Sequence, residues 1–498
     1  MGTDRSWAEN LLESPRTIWV ISAFVFCMFA VTNLPWQLDD YDQGQQAFTS
    51  FEMIREGHWF FQRTAHEKIA QKPPLVGWAS AAVFGVTRSW DIAWRLPSFL
   101  TALVLAAILF RAANAAYRTA PAVIALGAFG LNLLSVRLAT LVRTDMPLAL
   151  VIFLAGLLIW QKIRAGGSWH LHERWEMFAL LTISMFIKGP IVFAFLLPGI
   201  VLFQWLAAKR RGAAAWCGWW PWIASLALFS VWVICGIKFV PGFYEQVVIK
   251  EFLGRFSETV HRSQPVLFYF PHLLHKFAPW SVLMLALGFV SFRRERWGIR
   301  NLLRQTTPDV FWLICWSLGG LIVMSLVPSK RVDRIYPVVP TLCLLLAAQI
   351  AGSLRIRQTR DRILQWSAAA LLFSMVFTGG YTAARVLSNY RDHADHLEVF
   401  CRAVNEQAIA NHWRYEVISG HSGGYDGMLL YLQKPHFLKP SEAVQEWNAS
   451  ALDALLVPKD TMSELMPELQ DATIAPLRSV DRKTDPQIGY LLVTRRAD

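Results

Sequence analysis

Residues 335–353 read IYPVVPTLCLLLAAQIAGS, an apolar run without a charged side chain. A membrane helix needs about 20 predominantly apolar residues, so this run is long enough to cross a bilayer. Together with ten runs of similar character it predicts eleven spans, near 17–35, 96–113, 119–136, 146–161, 177–187, 190–208, 213–237, 277–292, 309–327, 335–353 and 363–384. The sequence therefore predicts a polytopic α-helical membrane protein.

The composition of the whole chain supports this class. Of its 498 residues, 54% are hydrophobic and 17% are charged, whereas soluble proteins have about 45–50% and about 25%. A disordered chain, a fibrous protein and an ordinary soluble enzyme are therefore excluded. The net charge of +12 is explained by basic cytoplasmic loops, so no nucleic-acid partner is expected. The six cysteines have no paired spacing and predict neither a disulfide framework nor a zinc site.

A shorter apolar stretch, residues 74–86, decides the topology. Its length suits a re-entrant or interfacial helix better than a span. If it does not cross, the basic clusters at 209–211, 293–296 and 355–362 all lie on the side of the N-terminus, as the positive-inside rule requires. We therefore predict that the N-terminus is cytoplasmic and that the C-terminus lies outside.

This topology places three polar segments on the outer side, namely loops 36–95 and 238–276 and the tail from 386 to 498. The tail has only short apolar runs, each with the length of a strand, at 415–419, 428–432, 454–457 and 490–494. We predict a membrane domain over residues 1–385, which includes both outer loops, and a small C-terminal α/β domain over residues 386–498.

The distribution of charge separates two classes of function. Away from their terminal turns, the spans contain no Asp, Glu, Lys or Arg. Transporters usually place ionisable residues at membrane depth, where the substrate must be coordinated. A membrane-embedded enzyme is therefore favoured over a flippase or exporter of lipid-linked sugars. That alternative stays open, as does an inactive sensor or scaffold.

Several cations reach the outer face against the positive-inside trend. They lie in segments 71–74, 137–147, 188–190 and 329–337, and in loop 238–276. The charged and polar residues of that loop include Glu245, Lys250, Arg255, His261, Arg262 and Tyr269. Taken singly, each cation is better explained as an interfacial anchor. Together they suit a phosphate, which Arg and Lys bind through charge-assisted hydrogen bonds, and a nearby carboxylate can act as a general base. The pattern indicates group transfer from a lipid-linked phosphate.

The ordered motifs resemble those of the GT-C glycosyltransferases that use polyprenyl-phosphate sugars. The relatives are the protein O-mannosyltransferases and, more closely, the bacterial aminoarabinose transferases that modify lipid A. The resemblance covers about residues 15–350 and rests on Asp42 to Ala47, Glu52-Met53 to Gly57-His58-Trp59, Lys72-Pro73-Pro74-Leu75, Arg95-Leu96-Pro97-Ser98, Thr144 to Leu148, Ile187 to Pro190, Pro279-Trp280, Tyr336-Pro337 and Pro340.

This resemblance implies an inverting transfer from a polyprenyl-phosphate sugar to a lipid A, glycan or protein acceptor, at the periplasmic face of the bacterial inner membrane. It implies that Asp42 is the general base that deprotonates the acceptor hydroxyl, and that Asp145 positions the acceptor or a neighbouring cation. Loop 238–276 would order over the lipid as a lid. The residues implied to bind the donor phosphate are Lys72, Arg143, Lys188, Lys330, Arg334 and Tyr336. Arg255 and His261 of loop 238–276 are further candidates for substrate binding.

Two positions depart from the family pattern. Gln71 stands where relatives often have an acidic residue before Lys-Pro, so no metal or other cofactor is expected to be required, although a divalent metal stays possible. Gln45-Gln46 replace an Arg-Tyr pair, which puts the aminoarabinose donor in question. The expected partners are the lipid-phosphate donor, its acceptor and membrane lipids, and the sequence identifies neither the sugar nor the acceptor.

Overall fold

The fold is that of a computed structural model, which describes residues 7–36, 38, 41–206, 215–254, 264–294, 306–420, 426–476 and 489–496. Its α-helices are α1 (Trp7–Glu13), α2 (Pro15–Val31), α3 (Tyr41–Glu56), α4 (Leu75–Thr87), α5 (Trp90–Ala93), α6 (Leu96–Tyr117), α7 (Thr119–Gly130), α8 (Leu133–Leu138), α9 (Asp145–Ala165), α10 (Leu171–Lys188), α11 (Val192–Leu206), α12 (Trp220–Phe239), α13 (Tyr269–Lys276), α14 (Trp280–Arg294), α15 (Pro308–Leu326), α16 (Val339–Leu354), α17 (Arg357–Arg391), α18 (His396–Ala410), α19 (Asp426–Leu432), α20 (Pro440–Asn448) and α21 (Met462–Leu465).

Other elements are fewer. The strands are β1 (Tyr415–Val417), β2 (Ala454–Pro458), β3 (Ala472–Ile474) and β4 (Tyr490–Arg495). A π-helix covers Tyr244–Leu253, and 3₁₀ helices cover Val266–Phe268, Val332–Val338 and Met466–Glu468.

The chain divides into two compact units. The first comprises Met1–Thr32, Gln71–Val76 and Arg95–Ala384, and the second comprises Asn33–Ala70, Gly77–Trp94 and Arg385–Asp498. Most of loop 36–95, which was predicted to lie outside, therefore belongs to the same unit as the tail, and the sequence did not predict this grouping. Residues Gln71–Val76, with Lys72, are the part of that loop that belongs to the first unit.

The first unit has the helices of a membrane protein. Among the described residues, six helices are long and apolar enough to cross a bilayer, and the number rises to eight if each of two bent helix pairs forms one span. Each of the eleven predicted runs falls on a helix, but α7 and α11 have only 12 and 15 residues, so the number eleven stays a prediction. The short run at 74–86 forms α4, which has 13 residues. Ile223 and Ile234 of α12 are 60% and 61% exposed, as expected of side chains that face lipid rather than water.

Helices α9, α11 and α15 approach one another closely at glycines. A Cβ atom on Gly319 would lie 2.5 Å from the backbone nitrogen of Gly199, and one on Gly156 would lie 2.1 Å from the ring of Trp316. The indole Nε1 of Trp312 donates to the Gly156 carbonyl at 3.2 Å. Small residues permit such contacts between membrane helices, where packing rather than burial from water drives association.

The second unit contains a mixed four-stranded sheet in the order β1-β2-β4-β3. Strand β2 is parallel to β1 and antiparallel to β4, which pairs antiparallel with β3. Leu455, Val457 and Val493 from this sheet share a buried core with Trp447 of α20. Its layers of strand and helix follow from short apolar runs that alternate with amphipathic helices.

One predicted strand is wrong. Residues 428–432 form part of helix α19 rather than a strand. The run reads Met-Leu-Leu-Tyr-Leu and contains no β-branched residue, so its helix propensity is high. Its length alone could not separate a buried strand from a buried helix. Strand β3, which the sequence did not predict, pairs with β4 at the edge of the sheet.

Loop and tail residues contact each other inside the second unit. The backbone N–H of Leu38 donates to the hydroxyl of Tyr431 at 3.1 Å, and Arg55 donates to the side-chain carbonyl of Gln433 at 3.3 Å. The ring of His66 stacks on Phe437 with centroids 5.3 Å apart. These contacts hold α3, the helix that carries Asp42, against the folded tail.

Candidate active site

A buried ion pair marks the start of α9. Asp145 is the first residue of α9 and Lys188 is the last of α10, and Lys188 Nζ lies 2.5 Å from Asp145 Oδ1. The two side chains are 8% and 9% exposed. The charges of Lys72 and Arg143 also act on this carboxylate, and the positive end of the helix dipole favours its ionised form. The structure thus brings four predicted site residues together.

Arg143 forms a second buried ion pair. Its Nη1 donates to Oδ2 of Asp333 at 2.5 Å, and the side chains are 7% and 13% exposed. The hydroxyl of Ser98 donates to the Arg143 carbonyl at 3.3 Å, which fixes the backbone before α9. Sequence reasoning did not select Asp333, and its one signal was its place among the cations Lys330 and Arg334.

The segment between α15 and α16 holds two further predicted cations. Lys330 Nζ donates to the Gln264 carbonyl at 3.0 Å, and burial lowers the pKa of this amine. Arg334 Nη1 donates to the backbone carbonyl and the hydroxyl of Ser329 at 2.7 and 2.9 Å. The N–H of Gln264 donates to the Pro328 carbonyl at 3.2 Å, so this segment is tied to the chain that precedes α13.

Tyr336 is fully buried, and its hydroxyl donates to Ser135 Oγ at 2.9 Å. Asn132 orients Ser135, because its Nδ2 donates to the same Oγ at 2.9 Å and its Oδ1 accepts from the N–H of Ser135. The hydroxyl proton of Tyr336 is therefore used within the protein. Its predicted hydrogen bond to the donor phosphate would replace the one to Ser135.

Asp42 lies in the first turn of α3, in the second unit. An acidic side chain at this position gains from the helix dipole, which favours the ionised form that a general base needs. The other predicted site residues that the structure describes belong to the first unit. Arg255 and His261 lie outside the described residues, as does the middle of the predicted lid.

The motif residue Glu52 is held by neighbouring residues of its own unit. It is buried, pairs with His58 and accepts a hydrogen bond from the N–H of Arg63 at 3.2 Å. Burial raises the pKa of this carboxyl group, against the opposing effects of His58 and Arg63. Across the described ranges, His, Cys, Asp and Glu side chains form no group of three or more that could hold a metal ion. Whether a metal is required stays a prediction.

The chain is similar to curated lipid-phosphate sugar transferases. No protein-family model matches it. It is 23% identical over 330 residues to undecaprenyl phosphate-alpha-4-amino-4-deoxy-L-arabinose arabinosyl transferase 2 of Proteus mirabilis. The aligned region covers 64% of this chain and 55% of that protein. It is 23% identical over 354 residues to the corresponding transferase of Yersinia pestis, 67% of this chain and 59% of that protein. The chain therefore spans less than two thirds of the length of these relatives.

Solved structures share its fold over almost the whole chain. ArnT from Cupriavidus metallidurans bound to undecaprenyl phosphate has a TM-score of 0.68 at 16% identity and covers 97% of this chain and 98% of its own. The archaeal oligosaccharyltransferase AglB from Archaeoglobus fulgidus, in complex with an inhibitory peptide and a dolichol-phosphate, has a TM-score of 0.53 at 11% identity and covers 92% and 70%. The chain therefore shares the fold of these solved structures, which agrees with the GT-C resemblance that its motifs indicated.

Proposed function

We propose that the protein is a glycosyltransferase that moves a sugar from a polyprenyl-phosphate donor to an acceptor. The observation that carries this proposal is the buried charge cluster around Asp145. Five predicted cations, Lys72, Arg143, Lys188, Lys330 and Arg334, share the first unit with the two carboxylates of the observed ion pairs. Arg143 and Lys330 are buried, whereas Lys72 and Arg334 are half-buried, and positive charge withdrawn from water is costly unless an anion compensates it. A lipid phosphate supplies that anion.

The relatives support the same donor class. Their names specify undecaprenyl phosphate carriers, and the ArnT structure holds undecaprenyl phosphate. For this chain we propose a lipid A, cell-envelope glycan or protein acceptor, reached from the periplasmic side of the inner membrane, with the N-terminus in the cytoplasm and the tail outside. Gln45-Gln46 leave the sugar itself open.

The proposed chemistry is a single inverting displacement. Asp42 takes the proton from the acceptor hydroxyl, whose oxygen attacks the anomeric carbon from the face opposite the phosphate. The bond between that carbon and the phosphate oxygen breaks, and the polyprenyl phosphate leaves with the electron pair. Lys188 and its neighbouring cations stabilise the charge that develops on the leaving group. Asp145 holds Lys188 in place, and residues 238–276 close over the lipid.

The test is a transfer assay with purified protein, a panel of polyprenyl-phosphate sugars and candidate acceptors. Asp42→Asn removes the base and should lower the rate by about 10²–10⁴-fold while donor binding is kept. Asp91→Asn, at an exposed carboxylate of the same unit, is the matched control and should transfer like the wild type. Near-normal transfer by the Asp42→Asn variant would show that Asp42 is not the base.

A second assay separates transfer from flipping. In proteoliposomes, a flippase moves a labelled lipid-linked sugar between leaflets and forms no new glycosidic bond. Movement without any transferred product would replace the proposed function by the flippase alternative. A reporter fused after residue 390 should be active only in the periplasm, and cytoplasmic activity would overturn the proposed topology.

A further inference from the structure

Tyr269, the first residue of α13, is fully buried and still has an unsatisfied hydroxyl. Its oxygen has no hydrogen-bond partner among the described residues. The backbone N–H of Arg331 lies near this oxygen, and an N–H group can only donate. The phenolic proton therefore has no acceptor in the described part of the chain. Buried polar groups are nearly always paired, so an orphaned hydroxyl of this kind calls for an explanation.

The position of Tyr269 is fixed by its surroundings. Five residues earlier, Gln264 exchanges hydrogen bonds with the segment between α15 and α16, through the Pro328 carbonyl at 3.2 Å and Lys330 Nζ at 3.0 Å. The ring of Phe268 packs edge-on against Tyr269 with centroids 5.3 Å apart. The side chain is enclosed, so its hydroxyl cannot turn to water, and a bound ligand is one group that can supply the missing acceptor.

The groups around the hydroxyl define the chemistry of that ligand. The charges of Arg334 and Asp145 both act on the phenol. Arg334 offers only donors, and the Asp145 carboxylate is already engaged by Lys188 at 2.5 Å. Donors from α13 and from the segment between α15 and α16 are thus close to one another here. An anion with several oxygens, such as a phosphate, matches this arrangement.

We propose that the Tyr269 hydroxyl donates a hydrogen bond to a phosphate oxygen of the lipid donor. This inference rests on the proposed function and adds a neutral, rigidly held donor to the cations of the site. A phenol contributes direction rather than net charge, so Tyr269 selects the orientation of the phosphate that the cations attract. Tyr269 begins helix α13, which forms the end of loop 238–276. A phosphate bound to Tyr269 would therefore contact the end of this loop.

The test compares Tyr269→Phe with the wild type in two measurements. The first is affinity for undecaprenyl phosphate and for undecaprenol, which lacks the phosphate, measured on the full chain in nanodiscs. The variant should bind undecaprenyl phosphate about 10-fold to 100-fold more weakly, the range for a hydrogen bond to a charged group, and bind undecaprenol equally. The second is the melting temperature without ligand, which should stay equal or rise because the substitution deletes an unsatisfied oxygen.

Tyr117→Phe is the matched control, because the Tyr117 hydroxyl bonds Asp309 at 3.4 Å at the far end of α6 in the same unit. It should change neither affinity. Equal affinity of Tyr269→Phe and wild type for undecaprenyl phosphate would overturn the inference and leave the proposed function intact. A lower ligand-free melting temperature, or weaker binding of both lipids, would assign Tyr269 a packing role instead. Failure of the wild type itself to bind undecaprenyl phosphate would overturn the proposed function.

Discussion

The two ends of the α9–α10 hairpin carry similar ion pairs in different surroundings. At one end Asp145 of α9 pairs with Lys188 of α10, and at the other Lys162 of α9 pairs with Glu173 of α10. Both lysine side chains are 9% exposed. Each helix therefore contributes one lysine and one carboxylate, at opposite ends, as expected when two antiparallel helices are joined by a short turn.

The difference between the two ends lies in the balance of charge. Glu173 also accepts from the N–H of His170 at 2.7 Å, and Lys162 donates to the Ser168 carbonyl at 3.0 Å, so donors and acceptors match there. At the other end Lys72 and Arg143 add positive charge to the pair. We therefore expect the Lys162–Glu173 pair to hold the two helices together, whereas the Asp145–Lys188 pair belongs to the proposed phosphate site.

The largest expected effect comes from removing one lysine at the cationic end. Lys188→Met should lower the transfer rate by at least about 100-fold, the usual cost of removing one group that stabilises developing negative charge. The double variant Lys162→Met with Glu173→Gln removes the other ion pair without leaving a buried charge and should transfer within about threefold of the wild type. The measurement is the initial rate of transfer at saturating donor for the wild type and the two variant proteins. Equal losses in the two proteins would mean that both pairs serve only to hold the hairpin.

The second prediction concerns the close contact between Gly156, midway along α9, and Trp316 of α15. Gly156→Ala places a methyl group against the ring of Trp316, where a Cβ atom would lie 2.1 Å away, and overpacking of this kind costs about 1–3 kcal/mol. The melting temperature in detergent should fall while both ion pairs stay in place. Gly352→Ala, with no neighbouring atom within 4 Å of its Cβ position, is the control and should be neutral or stabilising. A Gly156→Ala variant as stable as the wild type would rule out this close contact.

The smallest effect concerns pH at the balanced end. Burial opposes ionisation of Glu173, but the hydrogen bonds from Lys162 and His170 outweigh it and hold the pKa below its ordinary value of 4.5. A depressed pKa means that the pair stabilises the fold above pH 4.5 and that this contribution is lost as the pH falls through the folded value. On acidification the free energy of unfolding of the Glu173→Gln variant should therefore fall by about 1 kcal/mol less than that of the wild type. Acid unfolding curves of the two proteins measure this difference. Glu176→Gln, on the same helix but exposed, should behave as the wild type, and identical curves for the wild type and the Glu173→Gln variant would contradict the shift.

Most of the helical fold could be predicted because it depends on local composition. Each apolar run became a helix, since a bilayer requires every backbone group in a span to be bonded within its own segment. The secondary structure of the tail was harder to predict, because an apolar run of five residues such as 428–432 is compatible with both a strand and a helix. The joining of Asn33–Ala70 with residues after Arg385 depends on contacts between distant parts of the chain, which no local pattern encodes.

The candidate site shows the same division. Motif order identified Lys188 and Arg143, whose neighbours in sequence are distinctive. It did not identify Asp333 as the partner of Arg143, because 190 positions separate the two residues. The bond between Tyr336 and Ser135 is equally remote, with 201 positions between them. Local sequence was enough to predict which residue types belong to the site. Their ion pairs and hydrogen bonds depend on the packing of α8, α9 and α16, and local sequence does not encode that packing.

The second unit is assembled from three separate stretches of chain, and this sets an order of events during synthesis. Residues Asn33–Ala70 and Gly77–Trp94 emerge early, but their partners after Arg385 follow only once the 290 residues from Arg95 to Ala384 have been made. The end of α19 at Leu432 lies 376 residues after the end of α3 at Glu56, so at a ribosomal rate of about 5–20 residues per second α3 waits roughly 19–75 s for α19. We expect a nascent chain to expose Asp42 on an unsupported helix throughout that interval. Competence for transfer would then arise only on completion of the tail, so a half-made chain could not consume lipid-linked sugar.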